Sequence, residues 1–156
     1  MVYYVCSQEA LQTIWREWLN METMTKQQAL ANFLEVEVTD FEINNSEYIL
    51  PNGDSYFVLT DQEADEYATS EIEDMLWAFN AAFLASYTGL HEAVFEALSE
   101  GYENSNEAIM ALINNAGSMD EFVQESIDAD GRGYFVANYD WEEIELKNGY
   151  YAYRVN

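Results

Sequence analysis

The sequence predicts an α+β fold. Segments whose apolar residues alternate with period two lie near both ends of the chain, and segments with helical spacing fill the middle. A length of 156 residues and a hydrophobic content of 49% are enough for one packed core, and neither an internal repeat nor a linker divides the sequence. We therefore expect one acidic domain over residues 1–156. Its antiparallel sheet is expected to combine an N-terminal hairpin with a C-terminal meander around a helical middle.

The first part of the chain predicts a strand over residues 2–6, a helix over residues 8–20 and a second, short helix. The second helix is expected to run from Thr25 to about Phe33. Thr25 and Gln28 have the spacing of a capping box, in which each side chain accepts a hydrogen bond from the other residue's backbone.

Residues 34–43 predict a strand with one buried and one charged face. Val36 and Val38 alternate with Glu35 and Glu37, and a one-residue slip in the pattern then predicts a bulge or break. On such a strand the carboxylates of Glu35 and Glu37 would lie about 6.5–7 Å apart on one face.

A hairpin and the longest helix are predicted next. Tyr48–Leu50 and Ser55–Leu59 flank the turn-forming residues Pro51–Asp54. Thr60 begins a second capping box, and helical spacing then continues to about Phe79. The polar face of this helix carries seven carboxylates, namely Asp61, Glu63, Asp65, Glu66, Glu71, Glu73 and Asp74.

The rest of the chain predicts four shorter helices and three strands. The helices are expected at about residues 80–87, 89–100, 105–115 and 118–128, the last opened by a third capping box, and a turn follows at Asp130–Gly133. The strands are expected at Tyr134–Ala137, Glu142–Leu146 and Tyr150–Val155, with a type I′ turn between the last two. Glu142, Glu143 and Glu145 form a second carboxylate patch on the middle strand.

The charge distribution is the most unusual property of the sequence. The formal net charge is −25, and the 105 residues between Lys26 and Arg132 contain 23 Asp and Glu but no Lys or Arg. The same stretch is rich in Phe, Tyr and Ile, so it is a folded body and not a disordered acidic tail. A surface of this sign repels nucleic acid and anionic lipid, which excludes both as direct partners.

The sequence contains no catalytic or metal-binding signature. His91 is the only histidine and lies at a predicted helix start, and Cys6 is the only cysteine, which excludes an internal disulfide and a thiolate cage. Residues 128–133 have the spacing of a calcium loop, but Arg132 occupies a position that needs a ligand oxygen. We expect no enzyme activity, no metal and no cofactor.

The opening residues lack the features of a signal peptide, and no apolar run approaches the roughly 20 residues of a membrane span. These observations predict a cytoplasmic protein.

Carboxylates held on helices and strands can imitate the phosphates of a polynucleotide. The binding sites of nucleic-acid-binding proteins are lined with Lys and Arg, and a rigid acidic array can occupy such a groove without any chemistry. The residues expected to bind the partner are Glu35, Glu37, Asp61, Glu63, Asp65, Glu66, Glu71, Glu73, Asp74, Glu142, Glu143 and Glu145.

A small, cation-poor, aromatic-rich single domain of this kind resembles the DNA-mimic inhibitors encoded by phages and mobile elements, namely antirestriction and anti-CRISPR proteins. The resemblance implies a protein of the host-cell cytoplasm. It implies inhibition of a basic nucleic-acid-binding protein or nuclease complex by occupation of its nucleic-acid groove.

Three alternatives remain open at this point: an ordinary domain of a halophile, an acidic adaptor for another basic protein, and an enzyme that uses carboxylates alone. Tyr151 and Tyr153 lie on one face of the last strand and Tyr150 on the other, so one of these faces is a candidate homodimer interface.

Overall fold

The computed structural model describes residues 24–156, so the predicted strand at 2–6, the predicted helix at 8–20 and Cys6 lie outside the described residues. Within residues 24–156 the chain forms seven α-helices and a five-stranded antiparallel sheet, with the strands toward both ends. The predicted α+β class is confirmed.

The helices of this part are α1 Lys26–Leu34, α2 Asp61–Asp74, α3 Ala81–Thr88, α4 Glu92–Ser99, α5 Asn106–Ala116, α6 Met119–Asp130 and α7 Arg132–Val136. The strands are β1 Glu42–Asn44, β2 Glu47–Ile49, β3 Ser55–Thr60, β4 Ile144–Glu145 and β5 Tyr150–Arg154. Short 3₁₀ turns lie at Val38–Asp40, Leu76–Ala78, Tyr102–Ser105 and Lys147–Gly149.

The sheet joins the two ends of the described chain. Its strand order is β1-β2-β3-β5-β4, so the C-terminal strand β5 lies between β3 and β4. Val58 of β3 is opposite Ala152 of β5, which in turn is opposite Ile144 of β4. The predicted hairpin at Pro51–Asp54 joins β2 to β3, as expected.

Helices cover both faces of the sheet. On one face Val58 and Ala152 are buried against α1. On the other face the fully buried Tyr153 packs with the residues of the helical middle. Tyr150 and Tyr151 are half-buried in the two clusters. The tyrosines on both faces of the last strand therefore contribute to packing within the described residues, and the homodimer interface stays a prediction.

Helix starts follow the capping residues that the sequence predicts. Thr25 and Thr60 each cap a helix with both reciprocal hydrogen bonds of the capping box. Ser118 accepts a hydrogen bond from the Glu121 N–H at the start of α6, and Asn80 caps α3. α2 is shorter than predicted, because it ends at Asp74 and the chain continues as a 3₁₀ turn.

The predicted strand over residues 34–43 is confirmed only at its end, where Glu42 and Ile43 belong to β1 and the 3₁₀ turn at Val38–Asp40 is the predicted break. Residues 34–41 form no strand. Helix α1 continues to Leu34, and Glu35 adopts a left-handed conformation with φ of 57° that closes it. The Val36 N–H then donates to the Ala31 carbonyl at 3.1 Å, a typical helix ending. A turn that the sequence analysis missed joins β1 to β2, with positive φ at Asn45 and Ser46.

The predicted strand Tyr134–Ala137 is also wrong, because Arg132–Val136 forms α7. Gly133 permits this, since a Cβ there would lie 2.6 Å from the Trp141 carbonyl oxygen and 2.7 Å from the Glu143 nitrogen. The backbone of residues 141–143 is therefore packed directly on α7. As a result the predicted strand Glu142–Leu146 is reduced to Ile144–Glu145.

The last hairpin has the positive φ values that the predicted turn requires, at Asn148 and Gly149. However, Glu145 is opposite Tyr151 and the Leu146 N–H donates to the Tyr150 carbonyl, which leaves three residues in the loop. The turn is therefore one residue longer than a type I′ hairpin.

Candidate functional site

The surface of residues 24–156 is strongly acidic. This part contains 27 Asp and Glu side chains against four Lys and Arg, a net charge of −23. Among these 27 residues 22 are exposed, five are half-buried and none is buried. The folded chain thus holds nearly all its carboxylates in contact with water.

Three of the four cations are used in internal ion pairs. Lys26 pairs with Glu63, Arg154 pairs with Asp54, and Arg132 pairs with three carboxylates. Five carboxylates are thereby partly neutralised, and the other 22 form no ion pair within residues 24–156.

Arg132 forms the most connected of these pairs. Its Nη1 lies 2.9 Å from Asp61 Oδ1 and 2.7 Å from Asp65 Oδ1, and its Nε lies 2.6 Å from Glu143 Oε2. The guanidinium lies over the Tyr151 ring at 4.6 Å. The side chain is only 10% exposed. Arg132 therefore fastens α7 to α2 and to the segment before β4.

The same cluster shifts the ionisation of its members. Burial alone would lower the pKa of Arg132, but its hydrogen bonds to Glu143, Asp65 and Asp61 outweigh burial and raise that pKa. Burial raises the pKa of Tyr153, and its hydrogen bond to Glu143 at 2.5 Å raises it further. Arg132 stays charged and Tyr153 stays neutral across the physiological pH range.

This pairing changes the role of four predicted partner-binding residues. Asp61, Asp65 and Glu143 are turned toward Arg132, and Glu63 bonds to Lys26 and to the Thr60 N–H. The hydrogen bonds to Lys26 and Thr60 lower the pKa of Glu63. These four carboxylates hold the fold together, although Asp61 and Asp65 remain more than half exposed.

The outward face of α2 carries the predicted carboxylates that have no cation partner among the described residues. Glu66 is exposed and accepts a hydrogen bond from the Gln62 amide at 2.8 Å. Glu73 follows Glu66 by seven residues, about two turns along the same side. Asp74 is exposed at the end of the helix, and Glu71 is half-buried beside Tyr67.

A second acidic helix, which the sequence analysis did not select, adjoins α2. The exposed residues Glu121, Glu125 and Asp128 lie on one side of α6, with spacings of four and three residues, and the exposed Asp120 lies toward α2. A groove of about 200 Å³ separates the two helices. It is lined by Asp65 and Thr69 of α2 and by Asp120, Val123, Gln124 and Ile127 of α6.

The exposed and half-exposed carboxylates of these two helices form an acidic surface, of which Asp65 and Asp120 line the groove. We call it the α2/α6 face and define it as Asp65, Glu66, Glu73, Asp120, Glu121, Glu125 and Asp128. The spacing of the α6 carboxylates is visible in the sequence, but the position of α6 across a groove from α2 is a tertiary feature.

The other predicted carboxylates do not join this face. Glu35 and Glu37 are exposed, but Glu35 ends α1 and Glu37 caps a 3₁₀ turn, so the predicted strand spacing does not exist. Glu35 lies about 13 Å along α1 from Lys26, the residue that contacts α2. Glu142 and Glu145 are exposed near the sheet edge, while Glu143 between them points to Arg132.

His91 and the acidic loop at residues 128–133 are the places where the sequence offers features of a catalytic or metal site. His91 is exposed and caps α4, where its Nδ1 accepts a hydrogen bond from the Ala93 N–H at 3.2 Å. Within residues 24–156, no group of three or more His, Cys, Asp or Glu side chains is arranged to hold a metal ion. Asp128 bonds to Gln124 and Arg132 points inward, so the described loop at 128–133 is a helix junction.

Comparison with known proteins yields no relative. No family model, curated protein or solved structure matches this chain. The helices of the described part were also compared with the requirements of a bilayer, and none is both long enough and apolar enough to cross it.

Proposed function

We propose that this protein is a non-enzymatic inhibitor that mimics nucleic acid and occupies the basic groove of a host defence complex. The observation that supports the proposal best is the α2/α6 face, where two acidic helices adjoin across a groove lined by no Lys or Arg. Asp65 is the one carboxylate of this face that forms an ion pair within the described part of the chain, with Arg132. The ion pairs of Lys26 and Arg154 involve carboxylates outside the face.

The dimensions of the face suit a polynucleotide groove. α2 has 14 residues and α6 has 12, so they are about 21 Å and 18 Å long. About 20 Å of duplex carries about 12 phosphates. Six carboxylates without a cation partner among the described residues, together with Asp65 that pairs with Arg132, give roughly half that charge over a similar length.

Binding would require no reaction. Long-range attraction would steer the acidic face to a basic groove, and occupation of that groove would exclude DNA or RNA by competition. The partner is a basic nucleic-acid-binding protein or nuclease complex of the kind that antirestriction and anti-CRISPR proteins inhibit. The place of action would be the cytoplasm of the host cell.

A charge-reversal experiment tests this role. The triple variant Glu66→Lys, Glu121→Lys and Glu125→Lys reverses the α2/α6 face at exposed helical positions. The matched control, Glu92→Lys, Glu96→Lys and Glu100→Lys, makes the same change on and just after α4, which packs on α3 and α5. Each set contains one residue in the first turn of a helix.

The face variant is expected to lose partner binding, while the control retains it and both keep the wild-type circular dichroism spectrum. Equal loss in the two variants would mean that total charge and not this face determines binding. The salt dependence of folding distinguishes this proposal from the halophile alternative, because a halophile domain needs salt at about 1 M to fold. An inhibitor of this kind folds at low salt and loses its partner as screening increases.

A further inference from the structure

A second feature lies at the C-terminal end of α6, beside the α2/α6 face. It is a groove of about 530 Å³, a size typical of ligand sites. Its walls are mostly apolar and come from the segment after α2, from α3, from the end of α6 and from α7. The residues that carry the argument are Met75, Phe79, Ala129, Asp130, Tyr134 and Phe135.

Aromatic rings at the edge of this groove are unusually exposed. Tyr134 is 49% exposed and Trp141 is 65% exposed, and their ring centroids are 6.2 Å apart. Most Trp side chains are largely buried, and exposed Trp and Tyr are typical of interface anchors. These two rings extend the apolar groove onto the surface.

The backbone at Trp141 supports the same interpretation. Trp141 has a φ of 62°, a conformation that is unfavourable for a residue with a large side chain. Because the Trp141 side chain is largely exposed, its burial offsets little of the cost of this backbone conformation. Such an outlier at an exposed aromatic position indicates a role in binding.

The charge around the groove selects the chemistry of its occupant. Asp130 lines the groove, and no Lys or Arg is among the lining residues. The exposed Asp128 is two residues from Asp130, and the exposed Glu142 directly follows Trp141. An anion is excluded, and a purely apolar segment would leave the carboxylates uncompensated.

We propose that the groove binds an arginine side chain presented by a loop of the same basic partner. This inference rests on the proposed function and adds a specific anchor to it. The alkyl part of the arginine fits against Phe79, Phe135 and Met75. Its guanidinium pairs with Asp130 and stacks on Tyr134 or Trp141. The protein uses this stacking internally, where Arg154 lies over the Tyr139 ring at 4.0 Å.

Arginine is favoured over lysine for a physical reason. The planar guanidinium stacks on aromatic rings and pairs with carboxylates through a fork of N–H groups, whereas an ammonium group is strongly hydrated. Carboxylates of the α2/α6 face can also pair with a guanidinium, so the part of the preference that belongs to the groove is the part that a change on the groove wall removes.

The test compares two synthetic peptides of equal charge, hexa-arginine amide and hexa-lysine amide, by calorimetric titration at low salt. The wild-type protein is expected to bind hexa-arginine about tenfold more tightly. Ala129→Lys places a cation on the groove wall at an exposed helical position, and Ala111→Lys is the charge-matched control on α5. Trp141→Ala removes the exposed ring.

Ala129→Lys and Trp141→Ala are each expected to remove most of the preference, while Ala111→Lys keeps it. Equal affinity of the wild-type protein for both peptides would overturn the proposal, as would the same loss in Ala111→Lys. A dimer that Ala129→Lys dissociates in sedimentation would assign the groove to a second copy of the chain and also overturn it.

The result of the peptide titration can be distinguished from the result of the charge-reversal experiment that tests the proposed function. The triple variant of the α2/α6 face is expected to weaken both peptides and to keep the preference for arginine. If the preference is absent although the triple variant loses its nucleic-acid-binding partner, only the groove proposal fails. If the preference is present and partner binding survives the triple change, only the proposed inhibitor role fails.

Discussion

Replacement of Arg132 by Met tests the central ion cluster of the fold. Methionine retains an unbranched apolar chain but removes the only cation among the described residues that bonds to Asp61, Asp65 and Glu143. The three carboxylates would then remain close together without compensation. We expect a loss of stability, with α7 detaching from α2 first.

The magnitude follows from the exposure of each partner. Asp61 and Asp65 are 71% and 61% exposed, so their pairs contribute about 0.5 kcal/mol each. Glu143 is 29% exposed, and its charged hydrogen bond contributes about 1.5–3 kcal/mol. The contact with Tyr151 adds about 0.5–1 kcal/mol. The free energy of unfolding should fall by about 3–5 kcal/mol.

Urea denaturation followed by circular dichroism measures this change, and the melting temperature should fall by about 6–20 °C. Arg132→Lys should lose an intermediate amount, since the charge remains and the fork of donors does not. Lys147→Met, at an exposed position, is the control and should change stability by about 0.5 kcal/mol or less. A loss below about 1 kcal/mol in Arg132→Met would refute the reasoning.

Three further changes test other parts of the fold by urea denaturation. Lys26→Met removes the hydrogen bond from Lys26, which is the largest cause of the lowered pKa of Glu63. A carboxyl group whose pKa is lowered in the folded state stabilises the fold above its unfolded pKa of about 4.5, and this stabilisation is lost as the pH falls. The variant should therefore lose stability at pH 7 but little at about pH 2–3. An equal loss at both pH values would contradict this. Gly133→Ala should cost about 1–3 kcal/mol, because its Cβ meets backbone at 2.6 Å; an unchanged midpoint would contradict the packing. The pKa of Tyr153 is raised by burial and then by Glu143, so its stabilisation is present below about pH 10 and lost above it; Tyr153→Phe should flatten this alkaline loss, and an identical pH profile would exclude the assignment.

The sequence was informative where structure depends on neighbouring residues. Thr25 and Thr60 begin helices because their side chains bond to backbone N–H groups three residues later. The turn at Pro51–Asp54 is equally local. In contrast, Val36 and Val38 have a strand-like alternation, but the closure of α1 through Ala31 takes precedence over it. Local alternation over four residues is too weak a signal to oppose a helix ending.

The site was predictable in part for the same reason. The carboxylates of α2 follow from one helical period, and Glu66 and Glu73 are exposed or half-exposed as expected. The contribution of α6 depends on its position across the groove from α2, where Asp65 and Asp120 are both lining residues. The inward orientation of Asp61 depends on Arg132, 71 residues later in the chain. Such long-range contacts are not encoded by spacing.

Competition with DNA tests the proposed mimicry most directly. The tagged protein is used to capture proteins from a bacterial lysate at low salt, and duplex DNA is then added to the washed complex. We predict that a basic nucleic-acid-binding protein is retained by the wild-type protein, is not retained by the triple variant of the α2/α6 face, and is released by the duplex. A partner that remains bound under saturating duplex DNA would contradict the account.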